Sequence, residues 1–194
     1  MTKYAIVTND LQVAAATKHP QREAAVREFL PRQVQLLEVA RAAGVPVIHL
    51  QLVVSEDDPR NEGTPDALRF TEGSAGVQIL PSVLHDTDLV MPKPKDSGFF
   101  RTDLDETLSA LGVDTVVISG MQTQICVQTT AADAHFRGYS VVVPSDGVVS
   151  SRPEDTVAAL KWMADYCAEV MTTEEIEIRL AATEVPSGMD ATKS

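Results

Sequence analysis

Short runs of β-branched and other apolar residues alternate with helix-like stretches, and that alternation most restricts what this chain can fold into. Tyr4-Ala5-Ile6-Val7-Thr8, Thr115-Val116-Val117-Ile118-Ser119 and Ser140-Val141-Val142-Val143 are apolar in continuous runs, not on every second residue. Such strands bury both faces, as in a parallel sheet covered by helices. Further strands are expected at 46–54, 88–91 and 168–171, and helices at 21–43, 103–111, 123–137, 152–166 and 173–181. In the first helix Val26, Leu30, Val34, Leu37 and Ala40 recur at helical spacing, and Gly44 stops it. Pro31 lies inside it, so a kink or break is expected there. The sequence therefore reads as α/β: a three-layer, doubly wound sheet, mostly parallel, of about six strands. One domain is expected over residues 1–182, with a frayed tail over 183–194.

Charge and composition exclude several functions. Sixteen Lys and Arg stand against 28 Asp and Glu, a net charge of −12. Such a surface repels phosphate backbones and anionic lipid, so neither nucleic acid nor a membrane surface is an expected partner. No apolar run approaches the ~18 residues of a membrane span, and the apolar stretch at the N-terminus is too short for a signal peptide. Two cysteines, Cys126 and Cys167, are too few for a disulfide scaffold and fit a reducing cytoplasm. A nucleotide-binding α/β protein would need a glycine-rich phosphate loop after a strand. Gly120-Met121-Gln122-Thr123-Gln124 has a single glycine.

In doubly wound sheets, ligands bind outside the carboxyl ends of the strands. Asp10, Lys93 and Cys126 each fall at or just beyond such an end. The long loops at 55–78 and 92–102 are candidate lids or pocket walls. Cys126 follows a strand, a glycine and a short polar turn near a helix start, where the dipole and free N–H groups favour a thiolate. Cys167, in apolar company, reads as a packing residue. A nucleophilic cysteine needs a proton acceptor. His135 lies nine residues on, about 900° around the helix and roughly 13 Å along it, so it faces away. His19 and His85 sit in polar stretches and His49 inside a strand. No histidine or cysteine spacing suits a metal.

Three segments resemble those of the isochorismatase-like cysteine hydrolases, a family that includes nicotinamidases, N-carbamoylsarcosine amidases, streptothricin hydrolase and ureide amidases. Ile6-Val7-Thr8-Asn9-Asp10-Leu11-Gln12 resembles the family's opening strand with its Asp-x-Gln. Lys93-Pro94-Lys95-Asp96-Ser97-Gly98-Phe99 and the following Thr102-Asp103-Leu104 resemble its lysine segment. Ser119-Gly120-Met121-Gln122-Thr123-Gln124-Ile125-Cys126 resembles its nucleophile segment. The resemblance implies a catalytic triad of Asp10, Lys93 and Cys126. It also implies a cis peptide between Met121 and Gln122, and an oxyanion hole formed by the backbone N–H groups of Gln122 and Cys126. Two departures stand out: Gln124 where Asn or Asp is frequent, and Gly98 where Ala is usual. Nicotinamidases carry a metal site soon after the second strand. Residues 51–70 contain no histidine, so no metal and no cofactor are expected, and nicotinamide is a poor candidate substrate.

The implied function is hydrolysis of a C–N bond in a small amide, ureide or carbamoyl compound through a thioester. Vinyl-ether hydrolysis, which needs no thiol, and a non-catalytic binding module on the same fold are the alternatives. Beyond its small-molecule substrate, the expected partner is a second copy of the chain in a homodimer or larger oligomer. Lys93 and the helix start are expected to outweigh the like charge of Asp10 and hold the Cys126 pKa below the free value of about 8.5.

Overall fold

The computed structural model describes residues 2–183. The elements in chain order are β1 (Tyr4–Asn9), α1 (Val13–Thr17), α2 (Pro20–Ala42), β2 (Val47–Leu52), β3 (Leu89–Lys93) and α3 (Leu104–Ala110). These are followed by β4 (Thr115–Met121), a π-helical turn (Thr123–Val127) that runs into α4 (Gln128–Phe136), β5 (Ser140–Pro144), β6 (Val148–Val149), α5 (Pro153–Tyr166), β7 (Glu169–Met171) and α6 (Thr173–Thr183). All strand pairings are parallel, in the order β3-β2-β1-β4-β5-β7, with β6 lying against the end of β4. The sheet thus has seven strands. Two-residue β6 and five-residue α1 are too short to leave a periodic signal in the sequence.

The continuous apolar runs serve two cores at once. Successive side chains of a strand point to opposite faces. Ile6, Val117 and Val142 therefore join one cluster, with α1, α2 and α6 residues such as Leu36, Leu37 and Leu180. Ala5, Val7, Val116, Ile118, Val141 and Val143 join the other, with Leu104 and Leu108 of α3, Ala131 of α4 and Met163 of α5. α2 passes through Pro31 without a break. Val26 and Phe29 before the proline, and Leu36, Leu37 and Ala40 after it, bury against the same cluster, so packing keeps both halves on one face. α6 continues to Thr183, the first residue of the expected tail. The remainder of that tail, 184–194, lies outside the described residues.

The chain winds outward from β1 through β2 to β3, then returns to the centre and winds the other way through β4, β5 and β7. The reversal falls between β1 and β4, the place where open α/β sheets form a ligand crevice. Gly120 lets these two strand ends approach. It pairs with Asn9 at φ +102°, and a Cβ there would collide with the Asn9 backbone. On the far flank a buried network braces β2 and the start of β3. Asp88 accepts from Arg41 Nε at 3.0 Å and Nη2 at 2.6 Å, while His49 lies between Thr8 Oγ1 (2.7 Å) and Asp88 Oδ2 (3.1 Å). Burial lowers the His49 pKa despite the neighbouring carboxylate, so His49 is a neutral core residue.

Gly120→Ala should cost at least about 2 kcal/mol of stability, because it adds both a strained φ and a backbone clash. Denaturant unfolding monitored by circular dichroism measures this; an unchanged midpoint would contradict the close approach of β1 and β4.

Candidate active site

Lys93 ends β3, two strands away from β1, yet the residue is 1% exposed and its side chain reaches the turn after β1. Its ammonium lies 2.9 Å from Asp10 Oδ1 and 3.0 Å from Oδ2, and it donates to Lys95 O at 3.2 Å and Asp96 O at 3.0 Å. An ammonium has three protons. One carboxylate and two carbonyls take them all.

Asp10 follows β1 with φ +51°, a left-handed conformation that Asp tolerates better than most residues. Its N–H donates to Leu50 O at 3.0 Å, and its carbonyl accepts from Gln12 N at 2.7 Å. The Gln12 side chain is fully buried and points away from the reacting groups. Its Nε2 donates to Leu52 O (3.0 Å) and Val77 O (2.8 Å), and its Oε1 accepts from Leu52 N (2.8 Å). The glutamine of the Asp-x-Gln segment thus staples both ends of the 55–78 loop to the turn that carries Asp10.

Cys126 sits inside the π-helical turn that follows β4. Ile125 N and Val127 N both donate to Gln122 O, at 3.1 and 3.2 Å. Single π turns inside helices are frequent at functional sites, because the widened turn re-aims the side chains. The Met121–Gln122 peptide bond is cis. Gln124 ties the turn to the start of α5, accepting from Ser150 Oγ at 2.7 Å and donating to Asp155 Oδ2 at 3.2 Å. That reach across the turn suits the longer amide at this position.

The sulfur donates to Asp96 Oδ1 at 3.7 Å, and the Asp10 carboxylate is close enough to act on its ionisation. Burial pushes the thiol pKa well up; the Asp10 charge adds to this, and Lys93 opposes it without prevailing. The expected low-pKa thiolate is therefore corrected: burial favours the neutral thiol at Cys126. The sequence placed a cation and a helix start near Cys126, but the largest effect is desolvation at a residue 6% exposed. Asp10 is likewise raised by burial, with Lys93 pulling it back. A carboxylate with a raised pKa is a better proton acceptor than an ordinary one.

The lysine segment is clamped rather than free. Gly98 N donates to Thr130 Oγ1 at 3.0 Å, Thr130 Oγ1 to Asn9 Oδ1 at 3.1 Å, and Ser97 Oγ to Asp133 Oδ2 at 2.7 Å. A Cβ on Gly98 would run into the Leu50 side chain, so in this chain Leu50 occupies the space an alanine would need. Two residues beside Cys126 escaped the sequence reading. One is Asp96. The other is Arg22 of α2, whose Nε donates to Ser151 Oγ at 2.8 Å and Nη1 to Ala15 O at 3.3 Å, and whose guanidinium would interact with a Cys126 thiolate once one forms. Asp96 was legible inside the lysine segment but carried no local signal of a role; Arg22 is 104 positions from the cysteine and carried none.

His19, His85 and His135 are exposed, and Cys167 is a buried free thiol in the core beside Met163. Among the described residues, no three His, Cys, Asp or Glu side chains gather as a metal site would require. No helix among them is long and apolar enough to cross a membrane.

A cysteine and a lysine-held carboxylate at the switch point of a parallel doubly wound sheet define a class of α/β proteins. The isochorismatase domain model matches residues 4–175, and the chain belongs to the isochorismatase family. It is 34% identical over 157 residues to streptothricin hydrolase from Streptomyces noursei, covering 78% of this chain and 58% of that protein. It is 29% identical over 183 residues to ureidoacrylate amidohydrolase RutB from Methylobacterium radiotolerans, covering 83% and 71%. The crystal structure of N-carbamoylsarcosine amidase from Thermoplasma acidophilum superposes with a TM-score of 0.76 at 30% identity, covering 91% of this chain and 99% of that one. The matched stretches span 50% to 71% of the curated relatives' own lengths.

With the thiol protonated at rest, iodoacetamide should label Cys126 slowly at pH 7 and faster as pH rises. Asp10→Asn removes a like charge and should speed labelling at pH 7 several-fold, by roughly 10-fold for each pKa unit recovered. Peptide mapping by mass spectrometry reads both rates; rapid labelling of the wild type at pH 7 would restore the thiolate.

Proposed function

We propose that this protein hydrolyses the C–N bond of a small amide, ureide or carbamoyl compound through a Cys126 thioester. The observation that carries this reading is a buried thiol beside a carboxylate whose position is fixed by Lys93.

The substrate carbonyl carbon takes the Cys126 sulfur as Asp10 takes the thiol proton. The thiolate is thus made only as it is consumed, which suits a thiol that burial keeps neutral. Negative charge then develops on the carbonyl oxygen. The backbone N–H groups of Gln122 and Cys126 receive it, each donor worth roughly 3–4 kcal/mol. Collapse of the tetrahedral adduct breaks the C–N bond, and Asp10 returns its proton to the departing nitrogen. Asp10 next takes a proton from water as that water attacks the thioester carbonyl. Breaking the C–S bond releases the acid, and the proton returns to sulfur. Throughout, Lys93 balances the changing charge on Asp10 and keeps both oxygens aimed. The triad itself requires no cofactor.

The ureidoacrylate and N-carbamoylsarcosine enzymes among the similar proteins support C–N cleavage by their names, and streptothricin hydrolase supports hydrolysis. The reading includes self-association to at least a dimer. Phe136, Trp162 and Tyr166 form a ring-to-ring cluster that is 69%, 40% and 53% exposed on α4 and α5, a surface suited to burial by a second copy.

Cys126→Ala should abolish ammonia release across a panel of small amides, ureides and carbamoyl compounds while leaving the melting temperature nearly unchanged. Asp10→Asn and Lys93→Ala should each lower kcat/KM at least about 100-fold. Lys93→Ala should also lower stability, since it strands a buried carboxylate. Full activity of Cys126→Ala would sink the mechanism. For assembly, light scattering at micromolar concentration should give at least twice the chain mass of 20.9 kDa; the monomer mass would remove that part of the reading.

A further inference from the structure

Asp96 is the charged side chain that the mechanism leaves unused. Its Oδ1 is the acceptor 3.7 Å from the nucleophilic sulfur, and its side chain is exposed, at the entrance to the site. Among the described residues it has no ion-pair partner. Lys93, the cation beside it, spends its protons on Asp10 and on the backbone carbonyls of Lys95 and Asp96. Arg22, a second cation on this side of the site, is tied to Ser151 and Ala15.

The backbone that carries this carboxylate is held firmly. The Asp96 carbonyl is gripped by Lys93 at 3.0 Å, Ser97 Oγ is bound to Asp133 and Gly98 N to Thr130. The Asp96 backbone is therefore anchored next to the sulfur, and the side chain starts from a fixed point. A substrate carbonyl that reaches the sulfur comes within a few ångströms of this carboxylate. An anionic substituent would meet a like charge only a few ångströms away, whereas a cationic one would supply the missing partner.

We infer that Asp96 selects the substrate: its carboxylate receives an ammonium or amidinium carried by the amide or ureide close to the carbonyl that Cys126 attacks. This deepens the hydrolase reading and rests on it for the word substrate, but the charge-selective subsite can be measured without turnover.

The test uses three methanethiosulfonates that form a mixed disulfide with Cys126 and expel methanesulfinate: the cationic ethyltrimethylammonium, the anionic ethylsulfonate and the neutral methyl reagent. Rates at the Cys126 peptide are read by mass spectrometry in wild type, Asp96→Asn and Asp96→Glu. A change in thiolate fraction affects all three reagents alike and cancels in the ratio of cationic to anionic rate. That ratio should fall at least about 10-fold in Asp96→Asn and stay within about threefold of wild type in Asp96→Glu, which keeps the charge. In parallel, kcat/KM for β-alaninamide relative to succinamic acid, an amide pair with cationic and anionic tails, should fall in Asp96→Asn in the same direction. An unchanged reagent ratio in Asp96→Asn overturns the inference, as does an equal change for the two amides. A reagent ratio that falls as expected, in a protein that releases no ammonia from any compound of the panel, leaves the Asp96 subsite standing and removes the hydrolase reading instead.

Discussion

Everything at the candidate site hangs on one buried ammonium. Lys93 is fully enclosed, and a charge taken out of water is tolerated only when it is paired and its protons are bonded. Asp10 supplies the counter-charge, and the carbonyls of Lys95 and Asp96 supply the remaining acceptors. That requirement bends the chain after β3 back over its own lysine, which is why the 95–99 segment lies against α4 and why Asp96 meets the cysteine. A buried ion pair is a weak source of stability, since desolvation consumes most of the attraction. Its value here is positional: it fixes a carboxylate in direct reach of a thiol.

The sheet makes that pairing possible across the chain. Asp10, Lys93 and Cys126 are separated by 83 and 33 positions, yet winding outward from β1 and then back leaves all three at carboxyl ends on one rim. Gly120 admits the tight approach of β1 and β4, and Gln12 holds the loop after β2 against the same rim. Gly120 acts through its own backbone and Gln12 by bonding to backbone groups, so the three side chains rest on strand ends and clamped turns.

Burial decides the protonation state. A cation and a helix start both favour a thiolate, but these are smaller than the penalty of charging a sulfur that water barely reaches and that has a carboxylate beside it. In the proposed hydrolysis the thiolate would therefore form only during attack, with Asp10 as the group that takes the proton. The fold also leaves a carboxylate, Asp96, beside the sulfur with no ion-pair partner among the described residues.

By itself the sequence determined the layers and the residue types at the strand ends. Continuous β-branched runs require burial from both sides, helical spacing and glycine stops mark the covering elements, and Asp10, Lys93 and Cys126 stand just where strands end. The tertiary structure decided what those residues do to one another. Six-residue β2 had to lie between β1 and β3 before Lys93 could reach Asp10; α2 had to pack along its whole length before Pro31 became harmless. β6, α1 and the π turn arise from contacts too short or too irregular for periodicity to report. The state of the Cys126 proton, and the presence of Asp96 and Arg22 beside it, depend on solvent exclusion and on distances between residues far apart in the chain. Local patterning carries neither quantity, because both come into being only when the sheet closes around the site.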